Sequence, residues 1–161
     1  MQKFWVNFKK YWLILISVIL PYILFFLPVL SMVYTDEMEK IVYNYSFYNM
    51  INLTEEVFFT VLMILFITFS AINLILFVLF MIDNYKINLY SIVLKKIVLI
   101  NNIILCVISL MMLGETIYLC VTKGFSAGIN YKNCFNVGTV ILNVFMIGIT
   151  LLLYKKFKRI N

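Results

Sequence analysis

Four long runs of apolar residues alternate with short polar segments along this chain. The runs cover residues 11–33, 57–82, 97–121 and 137–154. Each is close to or above the about 20 residues that a helix needs to cross a hydrocarbon core about 30 Å thick. We therefore predict four transmembrane helices, which together form a single polytopic membrane domain over residues 1–161.

The segments between the apolar runs are short, so no folded domain outside the membrane is expected. Residues 34–56 and 122–136 form loops on one side of the membrane, and residues 83–96 form a loop on the other. Within the first loop, apolar residues recur at helical spacing over 36–51, which predicts an amphipathic helix on the membrane surface. This segment either binds a partner or simply rests on the membrane, and the second alternative is favoured.

The composition supports a membrane protein. Hydrophobic residues make up 65% of the chain and charged residues 12%, whereas soluble domains contain about 25% charged residues. The net charge is +6, but the lysines stand in small groups at the ends of the apolar runs. This distribution argues against nucleic-acid binding and indicates orientation in a membrane instead.

The basic residues are divided unevenly between the two sides of the predicted membrane. Three of the thirteen lie on one side, at Lys40, Lys123 and Lys132. The other ten are Lys3, Lys9, Lys10, Lys86, Lys95, Lys96, Lys155, Lys156, Lys158 and Arg159. Because positively charged loops stay in the cytoplasm, both termini are expected on the cytoplasmic side of a cell membrane. The predicted fold is an all-α, antiparallel four-helix transmembrane bundle.

Each predicted helix has one face on which polar or otherwise distinct residues recur in alternating steps of three and four. We call these faces the polar stripes: Ser17, Pro21, Leu24, Pro28 and Ser31; Phe66, Ser70, Asn73 and Phe77; Asn102, Cys106, Ser109, Leu113, Thr116 and Cys120; and Asn136, Thr139, Asn143, Met146 and Thr150. A repeat of about 3.5 residues marks the contact face of a left-handed bundle. The stripes either hold the helices together or form a polar path for a solute. They carry no charge, which favours packing.

The third and fourth helices are joined by a short loop, so they should form an antiparallel hairpin. Their midpoints lie near Ser109 and Phe145, and positions at equal membrane depth then have residue numbers that add to about 254. Cys120 and Cys134 satisfy this relation near the outer face. Either these two cysteines form a disulfide, which conditions outside the cytoplasm permit, or they remain two unpaired thiols.

The chain lacks the residue patterns of common catalytic and metal sites. It contains no histidine, no glycine-rich phosphate loop, no serine nucleophile motif and no CxxC pair. Imidazole catalysis, the usual zinc sites and phosphate cradles all depend on these patterns. We therefore expect no enzymatic activity, no metal site and no cofactor.

Glu115 is the one ionisable residue that lies clearly within a predicted span. An intramembrane carboxylate is a candidate proton or cation site, and the amides of Asn101, Asn73 and Asn143 are candidate members of the same polar site. However, Glu115 lies only about 9 Å from the outer end of its helix, at 1.5 Å per residue. It could therefore reach the headgroups or pair with a lysine, and this structural role is favoured.

Two functions are compatible with these features. The favoured one is a non-enzymatic membrane protein that binds another membrane component, as a subunit of a transport or secretion complex or as an immunity-type protein. Its expected partners are the lipid bilayer and either another membrane protein or a second copy of the chain. Candidate contacts are the 36–51 segment and the Lys155–Arg159 tail, which more simply anchors to anionic lipid. The alternative is a small transporter or channel subunit that uses Glu115 and the stripe amides.

Overall fold

Four long helices make up most of the described chain. The computed structural model describes residues 2–35, 40–50, 57–86, 91–122, 131–135 and 137–158. In chain order its elements are α1 (Gln2–Phe26), β1 (Pro28–Thr35), β2 (Lys40–Ser46), α2 (Phe47–Met50), α3 (Val57–Lys86), α4 (Ser91–Thr122), β3 (Tyr131–Phe135) and α5 (Val137–Lys158). Among the long helices, α1 and α4 each pack against both α3 and α5.

Three of the four long helices are long and apolar enough to cross a membrane. The qualifying segments are Val57–Phe80 in α3, Ile92–Tyr118 in α4 and Thr139–Lys158 in α5. These agree with three of the four predicted spans. The described apolar part of α1, Trp12–Phe26, is shorter than the other three.

The prediction that the first helix extends over 11–33 is wrong at its end, because α1 stops at Phe26 and the chain continues as strand β1. Proline has no amide hydrogen to donate and disfavours helical geometry in the residue before it. Pro28 therefore favours termination of helix α1 before Leu27. The residues after Pro28 are apolar enough to resemble a continued span, but their backbone is paired in a sheet.

A three-stranded antiparallel sheet follows α1, with strand order β2-β1-β3. In the first pair Thr35 lies opposite Lys40, and the register shifts between Pro28 and Leu30. In the second pair Ser31 lies opposite Cys134. The expectation of an entirely α-helical chain is therefore wrong for this region, although the long elements are all helices.

The prediction of an amphipathic helix over 36–51 is also wrong. The described part of this segment is strand β2 followed by the single helical turn α2. Strand β2 is rich in β-branched and aromatic residues, which favour strands because they pack well on a pleated surface. Pairing with β1 also satisfies the backbone groups of β2 that face β1, so strand formation overrides the helical spacing of the apolar residues.

Buried apolar side chains form two clusters. The first contains Leu24, Phe25, Phe47, Phe59, Leu62, Met63, Phe66, Leu105, Cys106, Ile108, Met112 and Met146. The second contains Leu13, Ile14, Leu76, Phe80, Val98 and Leu153. The second cluster draws on the first halves of α1 and α4 and the second halves of α3 and α5. Several of the polar stripe residues lie between the two clusters along the helices.

Candidate functional site

The stripe residues with amide, hydroxyl or thiol side chains lie between the helices. In α3, α4 and α5 the described ones are all buried: Ser70, Asn73, Asn102, Cys106, Ser109, Thr116, Thr139, Asn143 and Thr150. In α1, Ser17 is buried, whereas Pro28 and Ser31 fall in β1. Helical periodicity alone therefore identified the inward-facing positions of three helices. The side chains of Cys120 and Asn136 lie outside the described part of the structure.

Asn73 links three helices through its amide. Its Nδ2 donates to the backbone carbonyl of Ser17 in α1 at 3.0 Å, and its Oδ1 accepts from Asn102 Nδ2 in α4 at 3.4 Å. Asn102 Nδ2 also donates to the carbonyl of Val98, one turn earlier in α4, at 2.8 Å. Both amide hydrogens of Asn102 are thus engaged. Such engagement allows amides to be buried, because an unpaired amide in an apolar interior is costly.

Asn101 makes a second contact between α4 and α3. Its Nδ2 donates to the carbonyl of Phe69 at 3.1 Å. Phe69 and Asn73 are one turn apart in α3, so the adjacent asparagines of α4 bond to successive turns of the same helix. Asn102 was not among the site residues that the sequence analysis singled out. Its place in the polar stripe, directly beside Asn101, is the signal that identifies it.

The contacts between α4 and α5 join side chain to side chain. Ser109 Oγ donates to Asn143 Oδ1 at 2.6 Å, while Asn143 Nδ2 donates to the carbonyl of Thr139 at 2.9 Å. Thr150 lies two turns after Asn143 in α5, and its Oγ1 is 3.3 Å from Cys106 Sγ in α4. The Thr150 hydroxyl donates its one hydrogen to the carbonyl of Met146. The thiol is therefore the donor in the Cys106–Thr150 contact.

The space left between these groups is small. A crevice lined by Ser17, Leu20, Asn102, Met146 and Ile149 is too narrow to hold a water molecule. Among the described residues, Ser70 Oγ is the buried side-chain polar atom without a hydrogen-bond partner. The described stripe amides thus face other protein groups rather than a water-filled space.

Glu115 lies apart from the amides with which it was predicted to form a site. It is half-buried in α4, and Asn101 is fourteen residues earlier, about 21 Å along the helix. Ser109, the partner of Asn143, is about 9 Å away on the same measure. The side chains of Lys123 and Lys132, its possible partners, lie outside the described part of the structure. The structure thus places Asn73, Asn101 and Asn143 in helix contacts and Glu115 elsewhere.

Of the three cysteines, Cys106 is the one whose side chain the structure describes. Cys106 is free and buried. The backbones of Cys120 and Cys134 belong to α4 and β3, but their side chains are outside the described residues, so their disulfide stays a prediction. Within the described ranges, no group of three or more His, Cys, Asp or Glu side chains could hold a metal ion.

No protein-family model matches this chain, and neither does any curated protein or solved structure. The geometry of its own side chains is therefore the basis for a functional proposal.

Proposed function

We propose that this chain is a non-enzymatic integral membrane protein that acts by binding another membrane component, as a subunit of a transport or secretion complex or as an immunity-type protein. The observation that carries the proposal is the use of stripe polar groups in contacts between helices. Asn73, Asn102 and Asn143 all bond across a helix interface. No charged side chain is among the buried residues that the structure describes. The outer surface is then the part left for recognition.

The proposed arrangement is an antiparallel bundle in a cell membrane, with both termini in the cytoplasm. Cys106 pairs with Thr150 and Ser109 pairs with Asn143, so advancing along α4 corresponds to going back along α5. The paired residue numbers add to 256 and 252, on either side of the predicted 254. The ten basic residues predicted on one side support the cytoplasmic orientation of the termini.

The outer face of α5 is the proposed binding surface. In an 18-residue apolar stretch of α5, 22% of residues are buried, compared with 44% in the corresponding stretch of α4. Val144 and Leu151 are exposed on one face of α5, and Gly148 lies between them. A Cβ placed on Gly148 would meet no atom within 4 Å. Because a glycine lets two helix backbones approach closely, this face is suited to packing against a partner's transmembrane helix.

Photo-crosslinking in the native membrane tests the proposal. A photoreactive amino acid at Leu151, which is 62% exposed, is expected to give a discrete adduct with a protein, and Gly148→Leu is expected to abolish it. The matched control position is Ile75 in α3, which is 58% exposed and is expected to give lipid adducts alone. An adduct with the mass of two chains would identify a second copy as the partner. Lipid adducts alone at Leu151 would contradict the proposal.

The alternative function, a small transporter or channel subunit, is favoured by one observation. Glu115 lies within the apolar segment Ile92–Tyr118 of α4, where a carboxylate is a candidate proton or cation site. Purified protein in proteoliposomes distinguishes the two functions. Proton or cation flux above that of empty vesicles, lost in Glu115→Gln, would establish transport. Absence of flux would rule out transport by this protein. Flux that survives the substitution unchanged would rule out a role of Glu115 in transport.

A further inference from the structure

A basic groove lies where the start of α4 meets the end of α5. It has a volume of about 230 Å³ and is lined by Ile92, Lys95, Lys96, Leu99, Tyr154, Phe157 and Lys158. The four residues from α4 follow helical spacing, as do the three from α5, so each helix presents one face to the groove. The groove is thus formed by the packing of two helices and depends on both.

All the charged residues that line the described groove are positive. Three of its seven lining residues are lysines, and none is acidic. Lys96 and Lys158 are exposed, and Lys95 is half-buried. Ile92 lies in the first turn of α4, where the helix dipole adds a partial positive charge. This combination favours an anionic ligand such as a phosphate group.

The rest of the groove is apolar. Leu99 and Phe157 pack against the second apolar cluster, which contains Phe80, Val98 and Leu153. Lys158 ends the membrane-length apolar segment of α5, and Ile92 begins that of α4. Tyr154 is exposed beside them, as is typical of tyrosines at a membrane–water boundary. A soluble phosphate would leave the apolar wall uncovered, so the groove fits a ligand with an anionic head and an apolar tail.

We propose that this groove binds an anionic phospholipid. Lys96 and Lys158 hold the headgroup phosphate, Lys95 adds positive charge beside them, and an acyl chain lies against Leu99 and Phe157. Basic pockets between transmembrane helices on the cytoplasmic side bind such headgroups. The site involves α4 as well as the Lys155–Arg159 tail, and it does not depend on the proposed protein partner.

Lipid titration of the purified full-length protein, followed by native mass spectrometry, tests the site. Phosphatidylglycerol is the anionic probe and phosphatidylcholine is the neutral one. The variant K95Q/K96Q/K158Q is expected to lose about fivefold in phosphatidylglycerol affinity for each lysine removed. The matched control K40Q/K123Q/K132Q removes the same charge from the predicted opposite side and is expected to bind like wild type. Equal affinity of wild type for the two lipids, or equal loss in both variants, overturns the proposal.

A fluorescence measurement keeps the groove lysines in place and so does not depend on how their variants fold. Phe157→Trp is introduced with Trp5→Phe and Trp12→Phe, which leaves one tryptophan in the chain. Phosphatidylglycerol with brominated chains is expected to quench this tryptophan more strongly than brominated phosphatidylcholine at the same mole fraction. Equal quenching overturns the proposal. Relief of quenching by glycerol phosphate at the lipid's own concentration would also overturn it, because the ligand would then be a soluble phosphate.

Discussion

Two faces of α4 carry polar side chains and differ in where those side chains lie. On the first face Asn102, Ser109 and Thr116 are buried and hydrogen-bonded. On the second face Glu115 is half-buried and has the exposed residues Met111 and Tyr118 one turn away on either side. The neutral side chains of Asn102, Ser109 and Thr116 can be buried because each donates to a carbonyl oxygen of the backbone or of an amide side chain. A charge in the middle of a membrane helix costs about 2.5–3.5 kcal/mol or more.

This difference indicates what the buried polar groups do. Within the described chain the uncharged groups occupy helix contacts, and the carboxylate is outside them. Groups that serve packing should affect stability in proportion to the interhelical bonds they make. The carboxylate should affect stability little. Substitutions on the two faces can therefore separate the packing role from a functional one.

The largest effect is expected for Asn73→Leu, which removes two interhelical bonds without changing side-chain volume much. Hydrogen bonds between membrane helices contribute about 0.6 kcal/mol each on average and up to about 1.7 kcal/mol. We expect the free energy of unfolding in mixed micelles to fall by about 1–2 kcal/mol. In the control Thr68→Val, an exposed hydroxyl bonded within its own helix is removed, and the loss should stay below about 0.5 kcal/mol. Equal losses for the two variants would contradict the packing role.

A smaller effect is expected for Asn101→Leu. Its amide makes one described interhelical bond, to the carbonyl of Phe69, so about 0.6 kcal/mol should be lost. The measurement is the same denaturation in mixed micelles. A loss as large as that of Asn73→Leu would show that the number of interhelical bonds does not set the cost.

The smallest effect is expected for Glu115→Gln. Because Glu115 lies outside the buried contacts, its replacement should change the free energy of unfolding by less than about 0.5 kcal/mol. The variant keeps the size of the side chain and removes only its charge. A loss above about 1.5 kcal/mol would show that the carboxylate has a buried partner and would remove the difference between the two faces.

The sequence predicted α3, α4 and α5 well because hydrophobic length and helical periodicity are local properties. The same properties led to wrong predictions of helix at the end of α1 and in the 36–51 segment. There the outcome depends on β1, which pairs with both β2 and β3. Strand β3 lies about 100 residues further along the chain. Pairing over such a separation leaves no periodic signal in either segment, although Pro28 is a local sign that the helix ends.

The candidate site was predictable in part. Position in the stripes identified the buried asparagines, but not which group each one bonds to, because a backbone carbonyl such as that of Ser17 carries no sequence signal. The position of the basic groove could also have been predicted from the sequence. Lys96 and Lys158 have residue numbers that add to 254, the relation that was used for the cysteines. The volume of the groove and its apolar wall, however, follow from the packing of α4 against α5.

A double-mutant cycle on Ser109 and Asn143 tests most directly whether the polar stripes hold the helices together. These side chains meet at 2.6 Å across the α4–α5 interface, so Ser109→Ala and Asn143→Ala each remove the same bond. The free energies of unfolding of both single variants, the double variant and wild type give the coupling between the two positions. The predicted coupling is about 0.6–1.7 kcal/mol. Additive losses, with no coupling, would contradict the account.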